Sequence, residues 1–165
     1  MSIIMQREFL KNVENYIFKN DKRYAKAIQS KKNQIPVNFR SPRYLYRGMI
    51  LDESIIDSIK SGQPLKLTDI TSWTTDPKLS ERFVSDSSKI VKSKGNGTGV
   101  IFKKNFSSQK IILDIQNYLL FMDVTGILDE VGFDDSTKEM GLEEFEVLVD
   151  GNVSLSRNDI FKIVK

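Results

Sequence analysis

In the segment EEFEVLVDGNVSL, Glu144 and Glu146 stand one residue apart. Paired carboxylates can divide a reaction between them, one offsetting a growing positive charge and the other taking up a proton. Read as a strand, the segment sends Phe145, Val147 and Val149 to one face and Glu144, Glu146, Leu148 and Asp150 to the other. The two acids would then lie roughly 7 Å apart along one face, aimed at the same volume. A water-facing strand of an antiparallel sheet would carry the same pattern, so the pair alone does not separate an active site from a wet face. The chain contains no histidine and no cysteine. That removes the commonest general base, the thiol nucleophile, the thiolate metal site and any disulfide framework. Catalysis must use carboxylates, hydroxyls and cations, and no metal site is expected.

The remaining candidates lie on short strands. YLYRG reads as a strand closed by Gly48 and presents Arg47; DITSWTTDP reads as a strand and turn carrying Ser72 and Thr74. Phe9, Val13, Tyr16 and Ile17 recur at helical spacing, and Tyr24, Ala27 and Ile28 suggest a second short helix before the break near Pro36. DESIIDSIKSG reads as a helix with Asp52 near its start, Ile55, Ile56 and Ile59 inward, and Gly62 past its end. Asp76 is placed to cap a helix that opens at Pro77 and turns Leu79, Phe83 and Val84 inward. Ser85–Gly99 has the composition of a mobile loop, VIFKK and KIILDI of strands, LDEVGFDDSTKEMG of a second polar loop, and DIFKIVK of a last strand. Helices first and strands after give an α+β fold class. The 165 residues suit a single domain, with a helical region over 1–40 and a core over 43–165.

Residues 1–40 hold nine Lys/Arg against three Asp/Glu, an asymmetry that can mark an anionic partner. The stretch KNDKRYAKAIQSKK lacks the aromatic interleaving of a single-strand platform and reads as a solvated helix face, so nucleic acid is not an expected partner. No apolar run is long enough to span a bilayer, and the first residues read as an amphipathic helix and not as an export signal.

In order, YLYRG, SWTT and EFE resemble the pattern of the mono-ADP-ribosyltransferases of the Arg-Ser-Glu class: an aromatic-Arg strand, a Ser-x-Ser/Thr strand and a Glu-x-Glu pair. SWTTDPKLSERFVS and EFEVLV are similar to the corresponding segments of the Alt and Mod enzymes of T-even phages, and the resemblance covers roughly residues 43–165. Thr74 stands where that family often has a second serine, and a bulky Trp73 lies between. The resemblance implies a split, strand-rich core with an N-terminal helical lobe. It also implies NAD as co-substrate and transfer of ADP-ribose to arginine side chains of target proteins. Arg47 would clamp the pyrophosphate through a bidentate fork. Glu146 would stabilise the ribose cation, Ser72 would orient that carboxylate, and Glu144 would receive the acceptor guanidinium. Gly48 would let backbone approach the nicotinamide, unless it serves only a tight turn. Thr74 completes the NAD-binding set, while Trp73 reads as a packing residue. By resemblance Ser85–Gly99 takes the place of a loop over the nicotinamide phosphate, and Leu128–Glu143 that of an acceptor-recognition loop. Bacterial transcription or translation proteins, met in a host cytoplasm during infection, are the implied targets. An NAD glycohydrolase and a catalytically inactive binding module of the same fold are the alternatives.

Overall fold

Residues 2–92 and 97–164 are described by the computed structural model, without the side chains of residues 87–92. The helices and strands run α1 (Arg7–Lys19), α2 (Lys22–Gln29), β1 (Arg43–Leu51), α3 (Glu53–Lys60), β2 (Leu65–Leu67), β3 (Thr71–Thr74), α4 (Pro77–Lys92), β4 (Thr98–Phe106), β5 (Ile111–Asp114), α5 (Ile115–Val124), α6 (Ile127–Glu130), α7 (Asp135–Glu143), β6 (Glu146–Val149), β7 (Val153–Leu155) and β8 (Ile160–Val164). The class is α+β, and the pairs β1–β3, β2–β7, β4–β8 and β5–β6 are antiparallel. Contacts divide the chain into two compact units, one formed by residues 1–43, 70–72 and 106–150, the other by 44–69, 73–105 and 151–165.

The first unit is a helical layer on a small sheet. Phe9, Leu10, Val13, Tyr16 and Ile17 are buried along one side of α1, each aliphatic side chain contributing about 1.5–3 kcal/mol. They join Ile28 of α2, Tyr118, Leu119 and Met122 of α5, and Ile112, Leu113 and Leu148 of the sheet in one apolar core. Strand β6 pairs with β5, with Ile111 opposite Val149 and Asp114 opposite Val147. Asp114 ends β5 and caps α5 by accepting the Asn117 N–H at 3.1 Å. Burial raises its pKa, a rise opposed by that N–H and by Arg43, which pairs with it at 2.9 Å.

In the second unit β1 lies between β3 and β4, β8 pairs with β4, and β2 and β7 form a separate antiparallel pair. Trp73 is buried, as a packing residue should be. Asp76 accepts the Lys78 N–H at 2.9 Å and so caps the first turn of α4. Beneath α4, Val84 presses against both Gly48 and Gly99; a Cβ on Gly48 would come within 2.5 Å of the valine methyl and 2.8 Å of the Ser80 carbonyl oxygen. Glycine at these positions is what allows the helix so close to β1 and β4.

Several expectations are corrected. The YLYRG strand is not closed by Gly48 but runs on to Leu51, so helix packing and not a tight turn explains the glycine. Phe83, expected to turn inward, is 57% exposed, whereas Val84 is buried as expected and Ser80 is buried with it. Ser85–Lys92 continues α4 and is not a loop; the expected loop also spans 93–96, which lie outside the described residues. The stretch read as a second polar loop holds α6 and α7, and KIILDI hands over at Asp114 to α5, which periodicity did not reveal.

Candidate functional site

The two glutamates do not share a strand. Helix α7 begins at an Asp134 cap whose carboxylate accepts the Thr137 N–H at 3.0 Å, and it ends at Glu143, with Glu144 as a C-cap still in the helical region. Phe145 then adopts φ +49°, a left-handed conformation costly for a bulky side chain, and β6 starts at Glu146. The strand alternation expected for Glu144, Phe145 and Glu146 is therefore broken at Phe145. The sharp reversal brings the two carboxyls into hydrogen-bonding contact, closer than the spacing along one strand would allow.

Glu146 is only 7% exposed, the buried member of the pair. A buried carboxylate is costly without donors. Its partner comes from the N-terminal helix: the Tyr16 hydroxyl donates to Glu146 Oε1 at 2.6 Å, in the range of a charge-assisted O–H···O⁻ bond. Burial pushes the phenol far above its ordinary pKa, the Glu146 charge and hydrogen bond push it further, and a hydrogen bond with Ser72 acts in the opposite sense. Tyr16 therefore stays protonated at any working pH and serves as a fixed donor. Ser72 reaches this cluster through the phenol oxygen, linking β3 to α1 within the first unit.

Glu144 lies on the wetter side of the cluster. Desolvation by its surroundings, the Glu146 charge and the hydrogen bond to Glu146 raise its pKa to about 7. The pair thus holds a proton that is half-released near neutrality, with Glu146 as acceptor and Glu144 as exchangeable acid or base. An ion with positive charge placed beside the pair would favour its release.

Of the residues expected at the site, Ser72, Glu144 and Glu146 come together, joined by Tyr16, which the sequence marked only as one apolar-face position of α1. Arg47, Gly48 and Thr74 belong to the second unit. Arg47 is half-buried on β1, with its Nε withdrawn from solvent. Thr74 lies opposite Tyr46 across the β1–β3 pair, and its hydroxyl oxygen accepts the Asp76 N–H at 3.1 Å, which ties it to the turn before α4. Among the described residues there is no cluster of His, Cys, Asp or Glu able to hold a metal, and no helix long and apolar enough to cross a membrane. Comparison with protein-family models, curated proteins and solved structures gives no match to this chain.

Proposed function

We propose that the protein is an NAD-dependent mono-ADP-ribosyltransferase that moves ADP-ribose onto arginine side chains and releases nicotinamide. The observation that carries this reading is the buried Glu146 carboxylate, gripped by Tyr16 and hydrogen-bonded to a second glutamate that titrates near neutrality. Heterolysis of the bond between nicotinamide and ribose leaves positive charge on the sugar, and a fixed carboxylate beside that carbon lowers the barrier. Glu146 has the constraint this task needs, because its donor cannot lose its proton and its strand is buried. The leaving nicotinamide takes the bonding pair and departs neutral. An arginine nitrogen then bonds to the ribose carbon and its proton passes to Glu144, whose acidity near pH 7 suits proton uptake. The acceptor guanidinium also compensates the like charges of the glutamates before reaction.

Ser72 acts here as a positioning residue, reaching the Glu146 carboxylate through the Tyr16 phenol that binds them both. Arg47 keeps the role of a pyrophosphate fork, for which its planar double donor suits it better than a lysine. Gly48 and Thr74 belong to the reading only as residues beside that fork. Bacterial transcription or translation proteins, met in a host cytoplasm, are the proposed acceptors, on the strength of the resemblance to the phage enzymes alone. The test is incubation with NAD labelled in the adenylate moiety and a bacterial lysate, followed by nicotinamide release and label on protein. Release with protein labelling supports transfer, and release without labelling would make the protein an NAD glycohydrolase. Neither product would leave a binding module of the same architecture.

A further inference from the structure

We infer that the exposed aromatic patch on β1, β4 and β8 in the second unit binds single-stranded nucleic acid, with Tyr44 and Phe161 as stacking surfaces and Lys103 as a phosphate contact. Strand alternation puts Tyr44 and Tyr46 on the side of β1 opposite the buried Leu45. Tyr44 is 58% and Phe161 48% exposed, an uncommon amount of aromatic surface for the two strands that flank β4 to leave in water. The Lys103 ammonium stands among the rings, 4.9 Å from the centroid of Tyr44, 5.7 Å from Tyr46 and 5.8 Å from Phe161. Tyr46 braces Phe161 edge-on, with ring centroids 5.2 Å apart. Beside them lies an open hollow of about 470 Å³, to which Lys104, Asn105 and Asn158 also contribute. That volume falls within the roughly 300–1,000 Å³ of small-ligand sites.

The occupant follows from the combination. Lysine alone would suit an acidic peptide and exposed rings alone an apolar one, but rings with a cation at their centre suit a ligand that alternates flat bases with phosphates. The two asparagine amides can donate to and accept from base edges. The carboxylate lining the hollow, Asp159, is matched by Lys104 at 3.3 Å and held by the Ser156 capping box, so it presents little free negative charge. The second unit as a whole carries thirteen Lys/Arg against eight Asp/Glu, whereas the first carries twelve against fourteen. The face shares no residue with the Tyr16–Glu146 cluster, so its test is independent of the proposed activity. It lies outside the basic N-terminal stretch, and its aromatic and basic members come from strands far apart in sequence, where no linear motif would join them.

Fluorescence polarisation of labelled twelve-nucleotide oligo-U and oligo-dT with the whole chain tests the inference, at two salt concentrations and beside a duplex of equal length. The single strands should bind more tightly than the duplex. Tyr44→Ala and Phe161→Ala should each weaken binding by about fivefold or more, as loss of a stacked base does. Lys103→Gln should weaken it and reduce the salt slope by about one unit. The rings and lysine lie at the surface, so melting curves like the wild type's should accompany these losses. No saturable binding, equal binding of the duplex, or ring variants that bind as the wild type does would overturn the inference. So would tighter binding of a glutamate-rich peptide of matched charge, which would turn the face into a protein-docking surface.

Discussion

If Glu144 takes the proton from the acceptor, arginine modification must follow its ionisation while nicotinamide release in water need not. With a pKa of about 7, the fraction of Glu144 ionised is about one in eleven at pH 6, half at pH 7 and about ten in eleven at pH 8. Transfer to free arginine or an arginine mimic should therefore rise about tenfold between pH 6 and pH 8, where an ordinary glutamate would give a nearly flat profile. Glu144→Gln should abolish this limb and lower transfer by roughly 10²–10⁴, leaving much of the slow hydrolysis. The assay follows nicotinamide release and label incorporation in parallel, for both proteins, across that range. A flat transfer profile in the wild type, or hydrolysis that rises along the same limb, would refute the assignment of Glu144 to the acceptor. Stability supplies a check that needs no substrate. The folded chain holds this proton where the unfolded chain releases it, so the associated stability is complete below the ordinary glutamate range, near 4.5, and is lost as pH rises through about 7. Glu144→Gln should remove that downward slope from a series of melting curves.

Glu146→Gln should suppress both transfer and hydrolysis by about a hundredfold or more, measured as nicotinamide release, since an amide cannot offset the ribose cation. Tyr16→Phe leaves the ring in place but deprives a buried acceptor of its donor; a loss of about 1–3 kcal/mol is expected. In a chain of this length that corresponds to a melting temperature lower by roughly 2–12 °C, accompanied by slower NAD cleavage. Arg47→Lys should weaken NAD use severely while keeping the charge, visible as a raised KM, because the planar fork is lost. Gly48→Ala should destabilise the second unit by about 1–3 kcal/mol in thermal unfolding, through the clash with Val84 and the Ser80 carbonyl.

Where the sequence carried a clear period or a paired signal, it was readable. The apolar spacing of α1, the Asp76–Pro77 start of α4 and the Gly62 ending after α3 all appear where residue type alone placed them. The misreadings have physical causes. IQNYLLFMDV buries Ile115, Tyr118, Leu119 and Met122 at helical spacing, but Leu120, Phe121 and Val124 are apolar and exposed on its other side, which blurs the stripe that distinguishes a helix from a continuing strand. Only Thr137 and Gly141 are buried in α7, and Gly141 is small because Leu119 and Ile17 pack against it, which leaves a segment that looks like polar loop. The pairing of Glu144 with Glu146 was legible as two acids in one place, but not its geometry, because no sequence rule announces a phenylalanine at positive φ. Tyr16 was legible as a helix-face residue and illegible as a site residue, since its partner stands 130 positions away.

That separation sets a clock on the chain's own synthesis. At the roughly 5–20 residues per second of a ribosome, the tyrosine is made about 7–26 s before the carboxylate it will hold. Throughout that interval α1 has an apolar face with five residues destined for burial and little of the sheet that will cover it. Any nascent or truncated chain that stops short of β6 therefore lacks the carboxylate that Tyr16 holds and leaves this apolar face open, a sticky form that chaperones or proteases would meet first.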